Sequence, residues 1–169
     1  MGKSLAAPRP ELPAFAPAAK VLHPEVVVAA VKLVDELAKA LAARPEICEA
    51  YLFGSQARGD SQPHSDVDVA VYVDPTASMN VGFGLDCEIA ADLMKAFQTN
   101  DVDVVLLNRA GPLLYHRVLR DGIRVLARDL VAATRREAMA LSRYCDYLPQ
   151  LAKIENAERL RVEQERAGR

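Results

Sequence analysis

Apolar residues recur along this chain with two periods, and the period changes from segment to segment. Val27, Ala30, Val31, Val34, Leu37, Ala38 and Leu41 repeat at helical spacing. Pro24 and Glu25 suit the first turn of that helix, and Arg44-Pro45 ends it. Ala50 to Phe53 is a short apolar run that predicts a strand leading into Gly54-Ser55, and a polar loop is expected from Gln56 to Ser65. Val67 to Val73 predicts a second strand, closed by Asp74-Pro75. A helix is expected from about Gly84 to Phe97, with Ile89, Leu93 and Phe97 on one stripe, and then a strand over Val102 to Leu107.

Pro112 to Asp121 reads as a short helix, with Gly122 placed for a left-handed C-terminal residue. Ile123 to Ala127 predicts a fourth strand. From Asp129 the pattern is helical almost to the end, with an interruption expected at Pro149 and fraying over the charged stretch from Asn156 to Arg169. The predicted order is α-β-β-α-β-α-β-α, a mixed α/β (α+β) fold with helices packed on a small sheet. The expected organisation is a disordered Ala/Pro-rich extension over 1–20, a domain over 21–128 and a helical segment over 129–169.

Composition narrows this little. The chain has 169 residues, 51% hydrophobic and 26% charged, with a net charge of −2; that is ordinary for a globular domain. The distribution of charge says more. Between Gly54 and Asp103 stand nine acidic residues (Asp60, Asp66, Asp68, Asp74, Asp86, Glu88, Asp92, Asp101, Asp103) against Arg58 and Lys95. Between Arg109 and Arg136 stand seven arginines against Asp121 and Asp129. The first stretch suits a cation, the second an anion or an acidic partner. Cys48, Cys87 and Cys145 lack metal-ligand spacing and read as reduced thiols. The N-terminal twenty residues carry four prolines and no continuous apolar core, so neither a signal peptide nor a membrane span is expected, and the cytoplasm is the expected location.

The chemistry concentrates in Tyr51 to Val71. Gly54 has no Cβ, so backbone there can approach a phosphate closely. Ser55 adds a hydroxyl, and the turn offers free N–H groups that suit a polyphosphate. Asp66 and Asp68, two apart, are expected on one face of a strand. Paired carboxylates call for a cation between them, and Mg²⁺ is the fitting one because it shares its oxygen shell with substrate phosphates. Asp103, embedded in the Val102–Leu107 run, would complete a three-carboxylate cluster able to hold two ions about 3.5–4 Å apart. Asp101 reads as a turn residue behind Thr99-Asn100.

The bland readings are a solvated strand end for Asp66 and Asp68, a capping serine for Ser55, an edge-strand charge for Asp103 and loop packing for Arg58. The fixed spacing of Gly-Ser and Asp-x-Asp favours function over the first two. His64 reads as a solvated loop residue, Asp60 as a turn residue, and His23 and His116 lack partner spacing. Tyr144 and Tyr147 are expected to pack in the core.

Gly54-Ser55, ten residues, then Asp66-x-Asp68 resembles the signature of the polymerase-β-like nucleotidyltransferase superfamily. GSQARGDSQPHSDVDVAV and DVDVVLLNRAGPLLYHRVLRDGIRVL resemble its minimal nucleotidyltransferase (MNT) branch over roughly Leu22 to Ala127. The resemblance implies a Mg²⁺-dependent enzyme that uses ATP and moves AMP to a tyrosine of a cognate HEPN ribonuclease toxin, acting as its antitoxin. It implies that Gly54, Ser55 and Arg58 contact the triphosphate, that Asp66, Asp68 and Asp103 bind metal, and that Asp103 serves as base. A small-molecule acceptor such as an antibiotic, or non-catalytic occlusion of the toxin, would fit the same residues. No membrane partner and no direct nucleic-acid binding are expected.

Overall fold

A computed structural model describes residues 24–62, 65–76 and 84–167. The extension over 1–20, His23 and His64 lie outside the described residues. The elements are α1 (Pro24–Ala42), β1 (Ile47–Phe53), α2 (Gly54–Arg58), β2 (Val67–Val73), α3 (Leu85–Phe97), β3 (Val102–Leu106), α4 (Pro112–Asp121), β4 (Ile123–Ala127) and α5 (Leu130–Ala167). The four strands form one sheet in the order β3-β2-β1-β4. β1 runs antiparallel to both β2 and β4, while β2 and β3 are parallel. A parallel pair needs a crossover, and α3 supplies it.

Alternation along β2 sorts the two faces. Val67, Val69, Val71 and Val73 join Leu37 and Leu41 of α1 and Ile89 and Leu93 of α3 in one core. Ala70 and Tyr72 face the other way, toward Tyr115 and Val118 of α4 and Ala140 of α5. Both faces of β2 are therefore covered, which is why its sequence reads as a continuous apolar run. Loops are pinned by side chains. Arg128 donates to the carbonyls of Ala42, Arg44 and Ile47 at 3.0, 2.9 and 2.7 Å and so closes the end of α1. Asn108 accepts from the Val73 N–H (3.0 Å) and donates to the Val73 carbonyl (2.9 Å), adding a side-chain rung at the end of β2.

Several boundaries differ from the sequence pattern. β1 starts at Ile47 rather than Ala50. Glu49 breaks the apolar run there, yet it is fully buried and paired with Arg136. The expected loop after Phe53 opens with the short helix α2, whose five residues are too few to show a period. Gly122 is not left-handed (φ −87°). It is needed for space, since a Cβ there would lie 2.3 Å from the Val118 carbonyl. α5 runs through Pro149 without interruption; a proline removes one N–H donor and leaves the flanking turns to propagate.

A polar network fastens α5 to the sheet. The Tyr51 hydroxyl lies 3.0 Å from a Glu49 oxygen and 2.7 Å from a Glu137 oxygen, and its one proton serves one of them. Glu137 is also paired with Arg124, and the Arg136 guanidinium lies 4.6 Å over the Tyr72 ring. Burial and the neighbouring carboxylates push the Tyr51 phenol far up. The Tyr115 hydroxyl, buried beside this network without a hydrogen bond among the described residues, is pushed up to about 12. Further along, His116 stacks on Tyr144 at 3.7 Å with an interplanar angle of 2°. Among the described residues no helix is long and apolar enough to cross a membrane.

Two outcomes are expected. Glu49→Ala strands Arg136 and should cost about 3–5 kcal/mol in urea unfolding, whereas Glu49→Leu with Arg136→Met should recover most of it. Burial, and then the Arg120 charge, hold the His116 imidazole below its ordinary value. The neutral form is thus the one the fold favours, so this contribution is present above the free-histidine pKa and lost as pH falls through the folded one. The urea midpoint of the wild type should drop on acidification below about pH 6.5, and His116→Phe should flatten that drop.

Candidate active site

Antiparallel pairing sets Phe53, the last residue of β1, opposite Asp68 of β2. The chain must then turn over the Asp68 carboxylate, and Gly54 makes the turn. Gly54 has φ +72°, and a Cβ there would lie 1.9 Å from Asp68 Oδ2. The missing side chain leaves room for the carboxylate of this chain, a role that the sequence reading had assigned to phosphate approach. α2 then begins with no side-chain cap, so its opening N–H groups have no acceptor within the helix. Gly59 ends it in the left-handed conformation (φ 68°), its N–H bonded to the Ser55 carbonyl.

The carboxylates come together by register. Parallel pairing puts Asp68 beside Asp103. Asp66 sits one residue before β2, not within it, and the Asp101 carbonyl accepts the neighbouring Val67 N–H at 2.8 Å. Asp68 is half-buried, while Asp66, Asp101 and Asp103 are exposed. Burial, then the charge of Asp103, then that of Asp66, raise the Asp68 carboxyl above its ordinary value, and only Arg58 opposes them. One electrostatic field therefore spans Asp66, Asp68 and Asp103. Among the described residues no three acidic, histidine or cysteine side chains form a ready-made metal cage.

Arg58 is exposed and pairs with Asp60 at 3.3 Å. Asp60, expected as a simple turn residue, is thus the partner of the guanidinium. Ser55 is half-buried at the first turn of α2. Two contributors had no signal in the sequence. Gln56 donates to the Ser65 carbonyl at 3.3 Å, and the Gln62 N–H donates to Ser65 Oγ at 2.8 Å. Both hold the chain just before Asp66, and isolated Gln and Ser residues in a polar stretch carry no period. The arginine-rich half is largely neutralised inside the fold: Arg120 binds Asp121, Arg124 binds Glu137, Arg136 binds Glu49, and Arg128 binds carbonyls.

The family described as "Polymerase beta, Nucleotidyltransferase" matches residues 35–130. The fold is also similar to solved structures. A crystal structure of a toxin–antitoxin with AMP-PNP shares 25% identity and a TM-score of 0.63, over 74% of this chain and 98% of that one. A tyrosine-to-alanine mutant of the toxin–antitoxin MntA–HpeT shares 26% identity and a TM-score of 0.60, over 73% and 95%. The tri-AMPylated Shewanella oneidensis HEPN toxin in complex with its MNT antitoxin shares the fold, with a TM-score of 0.56 at 23% identity over 79% and 98%. No curated protein matches the chain.

Gly54→Ala should strain the turn by about 1–2 kcal/mol and displace the Asp68 carboxylate. Since a misplacement of about 1 Å can cost a hundredfold in rate, nucleotidyl transfer should fall by that order while circular dichroism shows a folded protein. A variant with unchanged rate would mean that the Asp68 position is not critical.

Proposed function

The chain belongs to the polymerase beta nucleotidyltransferase family, and from there we propose that it is a Mg²⁺-dependent adenylyltransferase that moves AMP from ATP to a tyrosine hydroxyl of a HEPN-type toxin and so acts as its antitoxin. The observation that carries the site is the pairing of Asp68 with Asp103 beneath the Gly54 turn. The nucleotide, acceptor and antitoxin role are supported by likeness to the toxin–antitoxin structures, one of them holding AMP-PNP.

The residues present fit a divalent cation: Asp68 stands beside Asp103 in the parallel register, and burial, then Asp103 and Asp66, hold its carboxyl above its ordinary value against Arg58. Asp66, Asp68 and Asp103 would hold Mg²⁺, as one ion or two, and the metal would supply charge neutralisation at the phosphates and acidify the acceptor hydroxyl. The remaining work falls to the chain. The N–H groups opening α2 and the Ser55 hydroxyl bind phosphate oxygens. Arg58 exchanges its exposed Asp60 partner for the triphosphate. Asp103 is exposed, so its carboxylate is open to the incoming acceptor and accepts the proton from the tyrosine oxygen. The tyrosine oxygen bonds to the α-phosphorus as the bond to pyrophosphate breaks. Positioning and charge neutralisation account for the acceleration.

Intact-mass spectrometry tests the reading. The protein encoded beside this one should gain one or more adenylyl units on incubation with this chain, ATP and Mg²⁺. Asp66→Asn/Asp68→Asn should reduce the rate by about 10²–10³-fold or more. Neutralisation of the toxin by that double variant at low stoichiometry, with no mass gain by the wild type, would replace catalysis with occlusion.

A further inference from the structure

Among the described residues Arg44, Arg58, Arg120, Arg124 and Arg136 pair with carboxylates and Arg128 with carbonyls, while Arg117 on α4 and Arg135 and Arg143 on α5 have no such partner. Arg135 and Arg143 are exposed on α5 with no acidic partner among the described residues. They lie at four-residue spacing on either side of Met139, which is 51% exposed, so the three form one ridge of the helix. Arg143 also lines an open depression of about 420 Å³, together with Tyr72, Leu107 and Arg109. An uncompensated basic ridge carrying an exposed methionine, next to an aromatic-walled hollow, has the composition of a protein-docking surface rather than of a solvated face.

Its position gives it a purpose. Tyr72 and Asp68 lie on the same strand, four residues apart, and therefore on the same face. The hollow is thus about 13 Å along β2 from the carboxylate centre. We infer that the Arg135–Met139–Arg143 ridge and the Tyr72 hollow form an exosite for an acidic, partly apolar segment of the protein substrate, holding it so that its acceptor reaches Asp103. Charge complementarity selects the occupant: two unpaired guanidiniums favour carboxylates, and the exposed Met139 between them favours an apolar side chain. The inference rests on the proposed protein acceptor.

The test uses the full chain carrying Met139→Glu/Arg143→Glu, with Lys95→Glu on α3 as a control reversal, and the neighbour-encoded protein as partner. The KM for the partner should rise about tenfold or more, with kcat and the KM for ATP unchanged and the control silent. The same loss should appear as weakened complex formation by Asp66→Asn/Asp68→Asn protein that also carries the pair of changes, a readout that needs no transfer. Arginine-dependent binding without any adenylylation would keep the exosite and remove the proposed activity. Equal affinity of the Met139→Glu/Arg143→Glu protein and the wild type, or no binding of the partner by the wild type, would overturn the exosite. Binding of a labelled oligouridylate that is lost on Arg143→Glu would assign the surface to nucleic acid and overturn it as well.

Discussion

The space that a side chain would fill after Phe53 belongs to the Asp68 carboxylate, and the architecture of the site follows from that exclusion. β1 can pair with β2 in this register only if the chain leaving β1 passes over the carboxylate with no Cβ. The left-handed turn that glycine permits starts α2, which has no side-chain cap, at the same corner of the sheet. The Gly54 backbone and the Asp68 carboxylate are thereby packed against each other, not merely brought near by a flexible loop. On the other side the parallel partner β3 contributes Asp103 through a crossover helix. Three chain segments meet at one end of the sheet because two strand registers oblige them to.

Charge is handled differently at the two ends of that sheet. At the far end, Glu49 is fully buried and met by the Arg136 guanidinium and the Tyr51 hydroxyl, and Tyr51 links it to a second pair, Glu137 with Arg124. Desolvated charges of this kind are tolerable only when paired, and here the pairing locks α5 across the sheet. At the site end, Asp66, Asp68 and Asp103 are left with Arg58 as the one opposing group acting on Asp68. One buried carboxylate is thus paired within the fold, while Asp68 feels two like charges and a single opposing one.

Much of this was legible along the chain. The strands carried their apolar runs, and Gly54, Asp68 and Asp103, singled out by residue type and spacing, do meet at one end of the sheet. Glu49 was not legible, since a lone acid in a strand looks like a strand end until its arginine is found 87 residues later. The arginine-rich half suggested an anionic partner. Only the fold shows that Arg120, Arg124, Arg128 and Arg136 are already engaged, and that Arg135 stands exposed on the same ridge of α5 as Arg143.

The sequence by itself determined what is local: the helical and extended periods, the glycine that a tight turn demands, and the clustering of acids in one half of the chain. These depend on residue type and short spacing, which the linear chain states directly. The tertiary structure decided what depends on register and on distance in space: that Asp68 faces Asp103, that the room at Gly54 is taken by Asp68, and that Gly122 yields to a carbonyl instead of adopting a left-handed turn. A strand shifted by one residue would present its opposite face. No pattern within β2 or β3 alone specifies which residue of one meets which residue of the other; that pairing exists only once both strands lie side by side over the shared core with α3.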